Sequence, residues 1–200
     1  MGASLESSNA GGPVDDCDML NADPPGTAIN CLPSSGAVYL FNRQTDNRWL
    51  QQAYLKASDA GVYDYFGGSV ALSADGSTLA VGARRQRSDA GANGGPIADC
   101  DTVLPDTPTN CKSNAGATYV FQRHTNDSWS QQVYLKAPNV GASDYFGQTV
   151  ALSADGVTVA VGATGENSDT GVNGGPVDDC LKPIAKQLNC QRQSGAVYVY

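Results

Sequence analysis

The sequence predicts an all-β fold in which four-stranded antiparallel sheets repeat as the blades of a β-propeller. Two observations carry this prediction. First, the chain repeats itself in phase, because Tyr54-Leu55-Lys56 returns 80 positions later as Tyr134-Leu135-Lys136. Second, short alternating apolar segments are separated by turn residues, and only 16% of the 200 residues are charged. This composition is typical of many short strands joined by tight turns.

The repeating unit contains four predicted strands. In chain order they lie at Ser69–Ser73, Thr78–Ala83, Ala117–Arg123 and Ser130–Lys136. Asp75-Gly76 supplies the positive φ that a tight turn between the first two strands requires, and Trp129 stands at the entrance to the fourth. Such a sheet has two apolar faces that it cannot bury alone, so it must stack on similar sheets. Radial stacking of four-stranded sheets gives a β-propeller.

The phase of the repeat divides the chain into about two and a half units. Residues 1–57 form a partial unit with a cysteine loop and strands three and four, residues 58–137 a complete unit, and residues 138–200 a partial unit with strands one to three and a cysteine loop. These nine strands are fewer than a closed ring of roughly four to eight blades needs. We expect either a portion of a longer propeller or a subunit that joins further copies of itself head to tail.

The unit carries a recognisable signature at its first two strands. Phe66-Gly67 and Phe146-Gly147 open strand one, and Gly82-Ala83 and Gly162-Ala163 close strand two. With the intervening Val-Ala-Leu-Ser-Ala-Asp-Gly, these residues resemble the FG-GAP repeats of integrin α subunits and of secreted bacterial proteins. The resemblance implies a propeller that is secreted or exposed at the cell surface and is used for adhesion or ligand binding.

The sequence departs from the FG-GAP pattern in two ways. Arg84 and Thr164 stand where the motif has proline. The calcium loop of integrin-type repeats is also reduced here to Ser73-Ala74-Asp75-Gly76 and to Ser153-Ala154-Asp155-Gly156. Because Ca²⁺ takes six to eight oxygen ligands, calcium is not expected at this position.

The six cysteines form three local pairs, one between strands two and three of each unit. The repeat selects the pairing that each unit completes by itself, namely Cys17 with Cys31, Cys100 with Cys111, and Cys180 with Cys190. Zinc is disfavoured because the chain has no Cys-x-x-Cys and a single histidine, His124. Disulfides form in oxidising compartments, which predicts secretion.

Calcium is a candidate cofactor at two other places. The loop before each cysteine pair reads Asp-x-Gly-x-Asn-Gly, a degenerate form of a calcium loop, and with nearby carboxylates it suggests the ligands Asp89, Asn93, Asp99, Asp169, Asn173 and Asp178. The second place is the link before strand one, with Asp59, Asp64 and Asp144. The alternative is a glycine-rich loop held by Asx turns, because glycine offers no side-chain oxygen at the third position.

Composition excludes several classes of function. The net charge of −8 argues against a nucleic-acid partner, which requires clustered cations. No apolar run approaches the ~18 residues needed for a membrane span. Only one histidine and two glutamates, Glu6 and Glu166, are present, and no catalytic constellation repeats, so we expect a non-catalytic protein. A polysaccharide-active enzyme is the catalytic alternative.

Two function classes remain. The first is an adhesion or ligand-binding module for a glycan or a surface protein, and the second is a structural repeat that assembles with other blades or further copies. The basic stretch Arg84, Arg85 and Arg87 is predicted to be a solvated loop, with an anion contact as the alternative. The aromatic residues Trp49, Trp129, Tyr63, Tyr65 and Tyr145 are predicted to pack blade against blade instead of forming a sugar platform.

Overall fold

A computed structural model describes residues 1–7, 32–88, 111–167 and 193–200. These parts of the chain contain β-strands and no helix. The strands are β1 (Gly2–Ala3), β2 (Ala37–Arg43), β3 (Trp49–Leu55), β4 (Phe66–Leu72), β5 (Thr78–Ala83), β6 (Ala117–Arg123), β7 (Trp129–Leu135), β8 (Phe146–Leu152), β9 (Val159–Ala163) and β10 (Ala196–Val199). Because the described residues include no helix, none of them forms a helix that could span a membrane.

The strands form three antiparallel sheets that follow the 80-residue repeat. The complete sheet has the order β4-β5-β6-β7, and it is flanked by sheets of order β1-β2-β3 and β10-β9-β8. We call them the first, second and third blades in chain order. Each is a meander in which consecutive strands pair, and tight hairpins with a positive-φ glycine at Gly76 and Gly156 join strands one and two. The predicted antiparallel meander is confirmed.

The first strand of the second blade is longer than predicted. β4 begins at Phe66 instead of Ser69, because a bulge between these two residues lets Phe66 rejoin the ladder opposite Ala83. Gly67 sits in this bulge with φ +84, a conformation that favours glycine. The fourth strand is shifted by one residue, so that Lys136 lies beyond β7 and is buried.

The first blade contains a strand that the sequence analysis did not predict. Gly2 lies opposite Val38 and Ala3 opposite Ala37, in the same register that Gly82 and Ala83 adopt with the corresponding residues of β6. β1 therefore occupies the place of strand two, although only strands three and four were predicted in residues 1–57. A segment of two paired residues is too short to show the alternation on which strand prediction depends.

The core lies between the blades. Phe66 is fully buried and its ring makes edge contacts with Tyr119 and Phe121, at centroid distances of 5.4 and 5.9 Å. The same cluster includes Val38 and Leu55 of the first blade. At the next junction, Phe146 packs with Leu135 of the second blade and with strand β9. Each Phe of the repeated Phe-Gly pair thus inserts between two sheets, as expected of blades that bury their faces on one another.

The repeated glycines allow this close stacking. A Cβ atom on Gly82 would overlap the carbonyl oxygen of Gly147 in the next blade. Gly147 in turn lies against the carbonyl oxygen of Ala117. At Gly162 a Cβ would collide with Oγ1 of Thr149 in the neighbouring strand. Steric room explains why glycine recurs at the repeat-defining positions.

The prediction that the aromatic residues pack between blades is correct for Trp129, which lies against the core. It is wrong for Trp49 and Tyr63, whose exposed fractions are 64% and 46%. Trp129 packs at the junction with the first blade, whereas no blade among the described residues covers the corresponding side of the first blade at Trp49. Tyr63 lies on the linker that enters the second blade.

Candidate functional site at the loop rim

Two opposite edges of the blades differ sharply. At one edge strand one begins, strand two ends and strand three begins, as shown by Phe66 lying opposite Ala83, which lies opposite Ala117. We call this edge the loop rim. The other edge carries only short hairpin turns, at residues 73–77 and 124–128 in the second blade, and we call it the hairpin rim. All connections between strands two and three therefore start and finish at the loop rim.

The ends of these connections are hydrogen-bonded at the rim. The amide of Lys112 donates to the carbonyl of Arg87 at 2.6 Å, and Ser88 forms an antiparallel bridge with Cys111. In the first blade the amide of Leu32 donates to the carbonyl of Ser7, also at 2.6 Å. The residues between these ends lie outside the described ranges, at 8–31, 89–110 and 168–192.

Most of the predicted cysteine and loop-calcium positions fall in those ranges. Cys111 is the one cysteine within the described residues, so the three pairings stay predictions. The other predicted cysteines and loop ligands outside the described residues are Cys17, Cys31, Cys100, Cys180, Cys190, Asp89, Asn93, Asp99, Asp169, Asn173 and Asp178.

The carboxylates of the link before strand one are hydrogen-bonded within the fold. Oδ2 of Asp64 accepts the backbone amide of Gly61 at 2.9 Å, and Oδ2 of Asp144 accepts that of Gly141 at 2.6 Å. Both carboxylates are buried and cap the turn that carries the chain into the next blade. Within the described residues, no three His, Cys, Asp or Glu side chains converge as a metal site would require.

Asp59 has a different role, which the sequence pattern did not predict. Its Oδ1 accepts the hydroxyl of Tyr119 at 2.7 Å and its Oδ2 accepts Nε2 of Gln86 at 3.0 Å. The hydroxyl of Tyr134 donates to Oε1 of Gln86 at 3.0 Å. Burial raises the pKa of Asp59, while these hydrogen bonds and the charge of Lys136 act in the opposite direction. This buried polar cluster ties the linker to the second blade.

The third blade repeats this polar cluster, but its carboxylate stands at the other of the two positions. Asn139 replaces Asp59 and Glu166 replaces Gln86, each 80 positions on. Nδ2 of Asn139 donates to Oε2 of Glu166 at 2.7 Å, and the hydroxyl of Tyr198, the counterpart of Tyr119, lies within hydrogen-bonding distance of both side chains, at 2.7 and 2.9 Å. Each junction thus holds one carboxylate and one amide in exchanged places. The sequence alone shows this exchange, because Asp59 becomes Asn139 and Gln86 becomes Glu166 in the next repeat.

The first blade shows a third version. Oε2 of Glu6, the counterpart of Gln86 and Glu166, accepts the hydroxyl of Tyr54 at 2.8 Å and pairs with Nζ of Lys56 at 3.0 Å. Lys56 also donates to Oγ of Ser35 at 2.6 Å. Burial lowers the pKa of Lys56 and Glu6 opposes that effect.

The basic stretch lies on the loop rim of the second blade. The guanidinium groups of Arg84 and Arg85 lie over the ring of Tyr65, at 5.1 and 4.8 Å from its centroid. The backbone amide of Arg85 donates to the carbonyl of Asp64, which places the arginines against the linker. The two side chains are partly buried, not freely solvated.

Comparison with known families agrees with the internal repeat. The model of the FG-GAP repeat matches residues 49–96 and 129–177. The two matches are 80 positions apart, as the sheets are. A comparison with curated proteins found no match. From these repeats and the stacked antiparallel sheets that they form, the chain belongs to the FG-GAP repeat family.

Proposed function

We propose that the chain is a non-catalytic module of an extracellular β-propeller that serves adhesion or ligand binding, with the loop rim as its binding surface. The observation that carries the proposal is the asymmetry of the two rims. A scaffold needs only tight turns, as at the hairpin rim, yet every connection between strands two and three is long and belongs to the loop rim. Long connections held on a rigid scaffold are where binding residues concentrate.

The positions of the acid and base groups support a non-catalytic role. Asp75 and Asp155 accept hydrogen bonds within their own hairpin turns. The single histidine, His124, lies at the hairpin rim with its Nε2 at 2.7 Å from Oγ of Ser130. Asp59 and Asp64 are hydrogen-bonded to the protein on the opposite rim. The described groups therefore do not converge as an acid and base acting on one bond would.

Secretion is part of the proposal and depends on the cysteines. The bridge between Ser88 and Cys111 brings the base of the cysteine loop together at the rim. A disulfide in each unit would hold both ends of its connection in this position. Proteins that need such bonds fold in oxidising compartments.

A binding screen tests the proposal. The secreted protein is applied to a glycan array and to immobilised surface proteins, with turnover of polysaccharides assayed in parallel. We expect a ligand whose binding is weakened by substitutions at the loop rim and not by Arg48→Ala at the hairpin rim. Catalytic turnover, or binding that depends only on the hairpin rim, would contradict the proposal.

A structural, self-assembling role is the second candidate, and one observation favours it. Val197 and Val199 of β10 are 70% and 68% exposed. Their counterparts in the second blade are Thr118, fully buried, and Val120, which packs against the third blade. The free face of the third blade thus has the form of a blade-stacking surface, suited to another blade or a further copy.

Sedimentation equilibrium tests this second candidate. Self-assembly predicts a mass that grows with concentration and falls to that of the monomer when Val199 is replaced by Asp. Val157→Asp is the matched control, because Val157 is 76% exposed but lies in a hairpin turn. A monomer at all concentrations would exclude self-assembly.

A further inference from the structure

Two arginines share one tyrosine ring at the loop rim. Arg84 and Arg85 lie 5.1 and 4.8 Å from the centroid of Tyr65, so the two positive charges are within about 10 Å of each other. None of the ion pairs found among the described residues includes either arginine. Like charges at this separation repel, and a cation on an aromatic face offsets that repulsion only in part. A bound anion would relieve it.

Arg85 also has a hydrogen-bond donor that the described residues leave unused. Its Nε is buried and makes no hydrogen bond within the described part of the chain. A buried donor without an acceptor costs roughly 1–3 kcal/mol. An oxyanion on the accessible side of the guanidinium group would supply a counter-charge.

The third blade serves as an internal reference for which of these residues the fold requires. Tyr145 repeats Tyr65 and has the same positive φ, +56 against +57. In contrast, Thr164 and Gly165 stand in the places of Arg84 and Arg85, and Ser143 in that of Tyr63. The third blade forms the same strands without any of the three side chains. They are therefore additions that the strands of the second blade do not need, although Nη1 of Arg84 also donates a 3.5 Å hydrogen bond to Oε1 of Gln148 in the third blade.

The three additions lie at one place. In the third blade a Cβ on Gly165 would overlap the carbonyl oxygen of Ser143, so the counterpart of Arg85 lies directly beside that of Tyr63. Tyr63 is 46% exposed, with a strained φ of +63. Ser143 has nearly the same value, +67, so this backbone conformation belongs to the linker of both blades, whereas the exposed ring is particular to the second. An exposed aromatic ring and two adjacent guanidinium groups are thus presented from the same rim.

We propose that Arg84, Arg85 and Tyr63 of the second blade bind an acidic saccharide, with the guanidinium groups on a carboxylate or sulfate and the tyrosine ring against the sugar. The guanidinium fork matches the geometry of both oxyanions. The exposed ring favours a saccharide over an acidic peptide, which would engage the charges alone. This inference rests on the proposed binding function and names its ligand class.

Calorimetry with three hexasaccharides tests the inference: chondroitin sulfate, oligogalacturonate and neutral maltohexaose. We expect one or both acidic probes to bind and the neutral probe not to bind. The variant Arg84→Thr/Arg85→Gly should weaken binding by about tenfold or more, equivalent to about 1.4 kcal/mol. Tyr63→Ser should weaken it by about fivefold. These substitutions copy the third blade, so they are compatible with the fold, and circular dichroism verifies this.

The control is Arg43→Ala/Arg48→Ala, which removes the same charge from the hairpin end of the first blade. It should change affinity by less than about twofold. Equal losses in the control and the rim variant would overturn the inference, because binding would then depend on net charge. If poly-glutamate binds with the same affinity as the acidic saccharides and Tyr63→Ser weakens neither, the ligand would instead be an acidic protein segment.

Failure of this inference can be distinguished from failure of the proposed function. A screen that finds a ligand dependent on other loop-rim residues, with neither acidic probe bound, overturns this inference and leaves the binding role intact. A screen that finds no rim-dependent ligand overturns both.

Discussion

The hydroxyl of Tyr119 donates a 2.7 Å hydrogen bond to Oδ1 of Asp59, which joins the second blade to the linker that enters it. At the next junction Tyr198 makes the same bond, at 2.7 Å, to Oδ1 of Asn139. The carboxylate lost at Asn139 returns at Glu166, in the place of Gln86. One negative charge is therefore kept in each buried cluster, although its position changes.

This exchange predicts that two substitutions compensate for each other. Asp59→Asn replaces an acceptor oxygen of the cluster with an amide donor and should lower the free energy of unfolding by about 1–3 kcal/mol. Gln86→Glu added to that variant recreates the arrangement of Asn139 and Glu166 and should restore at least about half of the loss. Urea denaturation of the single and double variants measures both effects.

Asp46→Asn is the control for the exchange, because it removes a carboxylate from an exposed ion pair with Arg48. We expect a change below about 0.5 kcal/mol there. If the double variant is no more stable than Asp59→Asn, the two clusters are not equivalent.

The hairpin turn of the second blade should make stability depend on acid. Hydrogen bonds from the Ser73 hydroxyl and from the amide and hydroxyl of Ser77 lower the pKa of Asp75 to about 2. Because the pKa of Asp75 is lower in the folded state than in the unfolded state, the ionised carboxylate stabilises the fold at pH values above the unfolded-state pKa. This stabilisation is lost as the pH falls from about 4 to about 2. The Tm advantage of the protein over Asp75→Asn should therefore shrink across that range. A constant difference would refute this role.

Gly82 should tolerate no side chain. In Gly82→Ala the new methyl group would overlap the carbonyl oxygen of Gly147, so the second and third blades must separate, and we expect a loss of about 3 kcal/mol. Gly76→Ala is the matched control, because its Cβ enters open space. The only loss in the free energy of unfolding comes from placing alanine at a positive φ of +69, and it should be about 1 kcal/mol. Thermal unfolding distinguishes them, and equal losses would mean that the steric explanation is wrong.

The three predicted disulfides are tested by mass spectrometry of the native protein without reductant. We expect no free thiol and peptides that link Cys17 to Cys31, Cys100 to Cys111, and Cys180 to Cys190. Each bond closes a short loop and should contribute about 3 kcal/mol in the chain-entropy model. Six free thiols would remove the argument for secretion.

Local pattern was sufficient for much of the fold. The limits of β5 and β6 were predicted to the residue, because alternation and the Asp-Gly turn are properties of adjacent positions. β4 was predicted too short because its first residues pair across a bulge. The exposure of Trp49 could not be predicted, since it depends on whether a neighbouring blade covers that place.

The candidate site was less accessible to sequence reasoning. Asp59 was predicted as a calcium ligand, whereas its carboxylate accepts hydrogen bonds from Tyr119 and Gln86, residues 60 and 27 positions away. Arg84 and Arg85 were noticed as a basic stretch, but their common position over Tyr65 depends on how the linker folds back on the end of β5.

The sequence by itself determined the repeat, the family and the strand order within a blade, because these follow from periodicity and local turn chemistry. Only the tertiary structure decided which side chains meet at the junctions between blades and at the loop rim. Those contacts join residues far apart in the chain, and they form only once one blade is stacked on the next.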